Sequence, residues 1–260
     1  MNIDNAKLIK KILEEFDNNI KHIKNIHYPT HILISLIFTK EKRQPKILDA
    51  GCGRNVKMSL PLLKEGFQVF SLDYSSSVVK MAFNKIKNHE NSFRIKADAH
   101  NLPFKRDSFD LILSNETIEY LSSPQKFLSE ANRVMKESGY FMLSTPNRHG
   151  FQRFSIYMFG VVHRMLSSIG VIPKRRLQFY DRPNMFTWNE LRKDVNSNDF
   201  KMKYYIGEIG ILRILDPILI QIGLPSLSVG TNRLLLILDL QIGKLLSKKM
   251  VSGWSVILIK

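Results

Sequence analysis

The run Ile47-Leu48-Asp49-Ala50-Gly51-Cys52-Gly53-Arg54-Asn55 places an acid and two glycines, one residue apart, directly after a short apolar stretch. An apolar β-forming run, a tight turn and a following helical pattern is the layout of a strand that feeds a helix N-terminus. Glycines there carry no Cβ and let a ligand approach bare backbone. Further acids end the next apolar stretches: Asp73 in VFSLDYS and Asp98 in IKADAHNLPF. An ionised carboxylate only accepts hydrogen bonds, so each suits the hydroxyl or amino groups of a ligand. One acid at a strand end is commonly a cap or a loop residue. Three in succession, the first beside a glycine turn, point to one polar ligand held across several strand ends.

The elements needed to position these residues follow from periodicity. Apolar spacing from Ala6 to Phe16 reads as an amphipathic helix and Thr30 to Phe38 as a second, more buried one. Strands are expected over 46–49, 68–72, 93–97, 109–114 and 140–145, with helices near 56–65, 76–87 and 124–136 between them. Such alternation argues for a parallel, doubly wound α/β sheet with helices on both faces. After Pro146 the pattern changes. Residues 151–172 read as an apolar helix ending near Gly170, and Arg175 to Pro183 as a basic loop. Thr187 opens a helix with Glu190 three residues on, a capping box. Residues 201–206 fit a strand and Val256 to Ile259 a closing one. Residues 209–246 are rich in Ile and Leu but interrupted by Arg213, Asp216, Pro217, Pro225, Arg233 and Asp239, too often for a membrane-spanning helix.

This arrangement resembles the class I S-adenosylmethionine (SAM)-dependent methyltransferases, whose first motif reads D-x-G-x-G-x-G. The third glycine is Asn55 here, and Asn is, after Gly, the residue most tolerant of left-handed backbone. The segment PFKRDSFDLILSNETIEYL resembles the D-x-L-P-F…F-D-x-V…L-E-H-L run of the branch that holds ubiquinone-biosynthesis and many small-molecule methyltransferases, and SGYFMLSTPNR resembles that family's fifth strand and its exit. The resemblance implies a seven-stranded Rossmann-like sheet of order 3-2-1-4-5-7-6 with its last strand antiparallel. It also implies SAM as cofactor, with a residue for each part of it. Gly51, Cys52 and Gly53 would bring backbone to the methionine part and ribose, and Asp49 would orient the turn and help hold the ammonium group. Asp73 would take the ribose hydroxyls, with Tyr74 packing on the adenine. Asp98 would accept from the adenine amino group, with the Ala99 N–H beside it. Ser114 and Asn115 would stand at the ligand end of the fourth strand.

The rival for a glycine-rich first turn is NAD, which expects G-x-G-x-x-G; here no glycine follows Gly53 until Gly66. Catalytic candidates are His27, His31 and His149, expected near the strand ends, and Tyr120, which replaces the histidine frequent in the family. A phenol is a weak base at neutral pH, and each histidine also fits a packing or surface role. Methyl transfer is a displacement at an already activated carbon, so alignment supplies much of the rate and a base is needed only if the acceptor must lose a proton. No His/Asp cluster has metal-ligand spacing.

The 260 residues, 44% hydrophobic and 24% charged, fit one α/β domain with additions. One cysteine, Cys52, excludes an internal disulfide framework, and the charged N-terminus reads as no signal peptide, which together suit the cytoplasm. A net charge of +16 suits solubility or an anionic partner: a membrane surface, a phosphorylated substrate or RNA. The expected organisation is a helical cap at 1–39, a SAM-binding core at 40–208 with a segment inserted at 151–183, an apolar helical insertion at 209–250 and a final core strand at 251–260. Apolar, helical additions favour a small-molecule or lipid-linked acceptor, methylated on oxygen or nitrogen and, less favoured, on carbon, with peripheral contact at an anionic inner membrane face. RNA methylation is an alternative supported by charge alone, without an RNA-binding module. A non-catalytic SAM-binding regulator is a third, which the Tyr120 replacement would mark.

Overall fold

In the computed structural model, residues 45–150, 184–208 and 251–260, with parts of 161–170, are described. Strands β1 (Lys46–Ala50), β2 (Gln68–Asp73), β3 (Ser92–Lys96), β4 (Phe109–Asn115), β5 (Met135–Pro146), β6 (Lys201–Glu208) and β7 (Gly253–Ile259) form one sheet of order β3-β2-β1-β4-β5-β7-β6. β1 to β5 run parallel, and β7 is antiparallel to both β5 and β6. This is the order and the antiparallel closure expected from the sequence.

Helices α1 (Ser59–Lys64) and α2 (Ser76–Ile86) cover one face, where Leu62, Leu63, Ala82 and Ile86 meet Ile47, Val69 and Leu111 of the sheet. Helices α3 (Pro124–Val134) and α4 (Trp188–Ser197) cover the other with Phe127, Leu128, Ala131, Leu191 and Val195. Both faces of β1 and β4 are therefore dry, which is why their sequences are nearly continuous apolar runs rather than alternating ones. The capping box of α4 is formed: Thr187 Oγ1 accepts from the Glu190 N–H and the Glu190 carboxylate accepts from the Thr187 N–H.

Three local expectations are corrected. Helix α3 ends at Val134, and β5 starts at once at Met135, opposite Phe109, instead of at residue 140. A register shift between Phe109 and Leu111 absorbs the extra residues, and a Cβ at Gly139 would lie 2.9 Å from the Lys136 carbonyl. Tertiary pairing thus overrides the poor β-propensity of Lys-Glu-Ser. The closing strand begins at Gly253 because Gly253 to Ser255 pair with Pro146 to Ser144. The left-handed residue after the glycine turn is Val56 (φ 43°), not Asn55. Val56 is wholly buried among Cys52, Met58 and Leu62, so core burial holds a β-branched residue in a conformation that it otherwise avoids.

The predicted end of a helix near Gly170 is present: Ile169 N–H bonds the Met165 carbonyl and Gly170 has φ +78°. The helices expected at 6–16 and 30–38, the basic loop at 175–183 and the apolar stretch at 209–246 lie outside the described residues. No helix among the described residues is long and apolar enough to cross a membrane.

Candidate cofactor site

The chain runs from β1 outward to β2 and β3, then returns to β4 on the other side of β1 and continues to β5. The crevice outside the carboxyl ends of β1 and β4 is therefore the switch point of the sheet, where loops diverge and leave room for a ligand. A cleft of about 590 Å³ opens there. Its walls come from the turn after β1 (Gly51, Gly53), the end of β2 (Asp73, Tyr74), the loop after β3 (Ala97 to His100) and the segment after β4 (Glu116, Thr117 and Tyr120 to Ser122).

The glycine turn is held against β2. Gly51 and Cys52 both donate their N–H to the Leu72 carbonyl, at 2.8 and 2.9 Å, and Gly53 N–H donates to Asp73 Oδ2 at 3.2 Å. Asp73 Oδ1 accepts from Ser75 N–H at 3.0 Å, so the carboxylate is fixed from both sides with acceptor capacity to spare. The two glycines differ in what surrounds them. A Cβ on Gly51 (φ +86°) would lie 2.3 Å from Thr117 Oγ1, whereas one on Gly53 (φ +62°) would meet nothing within 4 Å. Gly51 permits the β1 and β4 loops to touch, and Gly53 leaves the cleft floor open.

A family model described as a methyltransferase domain matches residues 48–143, the span that carries all four cleft walls. A ubiquinone biosynthesis O-methyltransferase from Coxiella burnetii is 26% identical over 165 residues, 62% of this chain and 68% of that one. A malonyl-acyl-carrier-protein O-methyltransferase from Legionella pneumophila is 33% identical over 101 residues, 38% and 36% of the two chains. Residues 48–143 therefore carry a methyltransferase domain of the SAM-dependent type. A SAM-dependent methyltransferase from Methanosarcina mazei shares the fold with a TM-score of 0.56, at 18% identity over 86% of this chain and 96% of its own. The cyclase SpnF shares it at 0.59, with 12% identity over 97% and 93%. The fold alone therefore does not select the chemistry; the site does.

Of the residues expected to hold the cofactor in this domain, Gly51, Gly53, Asp73, Tyr74, Asp98 and Ala99 line the cleft. Tyr74 is 74% exposed, with its ring in solvent at the mouth. Asp49, Cys52, Ser114 and Asn115 do not line it. Asp49 is buried beneath the turn, where Ser59 Oγ donates to its Oδ2 at 2.5 Å and also meets Ser71 Oγ at 2.7 Å. Burial raises its pKa from 3.8 to about 6, against the lowering effect of the Ser59 bond. The Cys52 thiol is pushed well above its ordinary value by burial and by Asp49 and Asp73 nearby, so it stays protonated. Ser114 is buried, and Asn115 Oδ1 is taken by Ser144 Oγ at 2.7 Å.

Among the catalytic candidates, Tyr120 lines the cleft and is 44% exposed. His149 lies in the turn after β5, exposed and away from the lining, with its N–H on Asn147 Oδ1. His27 and His31 lie outside the described residues. Glu116 and His100, which sequence reasoning missed, also line the cleft. Glu116 sits at φ +48° with its N–H on the Ser144 carbonyl, a conformation uncommon outside Gly that turns the chain away from β4. The signal for His100 was its place two residues after Asp98.

Proposed function

We propose that the protein binds SAM in this cleft and transfers its methyl group to an oxygen or nitrogen of a small-molecule or lipid-linked acceptor, oxygen being favoured. SAM supplies a methyl carbon activated by its sulfonium, and the chain's task is to bind, orient and align. The observation that carries the reading is the convergence, at one crevice, of bare glycine backbone with the Asp73 and Asp98 carboxylates. The residues fit the group. The open space over Gly53 admits a ligand against the main chain, and the fixed Asp73 carboxylate has lone pairs left for two ribose hydroxyls. Asp98, held ionised first by the His100 N–H, suits the adenine amino group. Asp49 acts from below the turn as a buried negative charge toward the cofactor's cationic end. Glu116, Thr117 and Tyr120 form the wall offered to the acceptor.

Oxygen is favoured because both relatives named above are O-methyltransferases. A lipid-linked acceptor also accords with the +16 net charge, which draws the protein to an anionic membrane surface from the cytoplasmic side. Incubation of the full chain with deuteromethyl SAM and fractionated cell extract tests the reading. The expected result is a mass-shifted hydroxyl or amine compound in the organic-extractable fraction. Label confined to RNA would overturn the acceptor class, and bound SAM with no labelled fraction would make the protein a regulator.

A further inference from the structure

We infer that His100 is a positioning residue for the cofactor's adenine: it clamps one oxygen of Asp98 and leaves the other to receive the adenine amino group. The inference rests on the cofactor reading above. Asp98 Oδ1 accepts twice from the same residue, from His100 N–H at 2.9 Å and from the ring at Nδ1 at 2.6 Å. Among the described residues, no hydrogen bond falls on Oδ2. A half-exposed aspartate at a loop tip would otherwise rotate freely and hydrate; two bonds to one oxygen fix its plane.

The other side of the ring decides which nitrogen carries the proton. Nε2 lies 3.1 Å from the Ser123 backbone nitrogen and 3.4 Å from Ser122 Oγ. A backbone N–H can only donate, so Nε2 presents its lone pair and the proton of the neutral ring sits on Nδ1, aimed at Asp98. The ring thereby joins two cleft walls that are distant in sequence, the loop after β3 and the segment leading into α3. The His100 side chain is 15% exposed, and its orientation is set by bonds at both nitrogens. A staple between loops needs only the Ser123 bond. The Nδ1 bond to the carboxylate is what couples the staple to the ligand.

Two near-isosteres separate these roles. In His100→Asn the amide reaches the place of Nδ1 and keeps the donor to Asp98 while losing Ser123. In His100→Gln it reaches the place of Nε2 and keeps Ser123 while losing Asp98. The readout is the affinity ratio, by calorimetry on the full chain, of S-adenosylhomocysteine over S-inosylhomocysteine, in which a carbonyl replaces the amino group. A ratio taken on one variant cancels any loss of folded protein. Wild type is expected to prefer the adenosyl ligand by roughly ten- to a hundred-fold, the range for a hydrogen bond to a charged group. His100→Ala and His100→Gln should bring the ratio to within about three-fold of unity, and His100→Asn should keep most of it. Should His100→Gln keep the ratio and His100→Asn lose it, His100 is a loop staple and the inference is wrong. A wild type that binds both ligands equally, or neither, overturns the adenine assignment of Asp98 and the inference with it. A wild type that discriminates, beside an equally discriminating His100→Ala, overturns the inference alone.

Discussion

At Asp49 a carboxylate with 1% of its surface exposed lies under the turn that faces the cleft, answered by the hydroxyl and the backbone N–H of Ser59. Its folded pKa of about 6 lies above the 3.8 of an unperturbed aspartate, so between those values the folded state binds more protons than the unfolded one. Stability from this group is therefore full below about pH 4 and declines as pH rises towards 6, by at most about 3 kcal/mol. Asp49→Asn removes the ionisation. Urea unfolding should show the variant gaining on wild type as pH rises from 4 to 8 and then holding its advantage, while its SAM affinity at pH 8 falls. A stability difference that stays flat across that range would mean that Asp49 remains charged throughout.

At the scale of the element, the glycine turn places opposite demands on its two glycines. Gly51→Ala drives a methyl into Thr117 and forces a left-handed alanine, so it should destabilise the fold by roughly 2–4 kcal/mol. Gly53→Ala meets no atom and should cost only about 1 kcal/mol of stability, yet its methyl occupies the cleft floor and should weaken SAM more than it weakens the fold. Thermal denaturation and calorimetry on the two variants check the ranking; Gly53→Ala proving the less stable of the two would contradict it. The turn and the acids Asp73 and Asp98 were legible in the sequence because each is a local signal, a residue type at the end of an apolar run. The sheet order came from family resemblance, which local periodicity alone does not supply. What escaped was set by tertiary contact. β5 starts early because Phe109 offers Met135 a partner, and Val56 takes the left-handed conformation because the core claims its side chain. His100 acquires its meaning only when Ser123, distant in sequence, arrives at its ring.

For the whole molecule, the sheet serves as a rigid frame whose reversal at β1 and β4 opens the crevice, and the loops on its carboxyl edge line it. The strong positive charge belongs to a larger scale than the site, and its effect should be seen in association rather than in cofactor binding. Co-sedimentation with anionic and neutral vesicles should show binding to the anionic ones that fades as salt is added; equal partitioning to both would remove the electrostatic account of membrane contact. Calorimetric titration of SAM into wild type and Asp73→Ala decides whether SAM sits across the strand ends with its ribose on Asp73. Wild type should show a single site, and the variant a loss of about 1.5–3 kcal/mol, roughly ten- to a hundred-fold in affinity. Folded wild type that binds no SAM, or a variant that binds it as tightly as wild type, would contradict that placement.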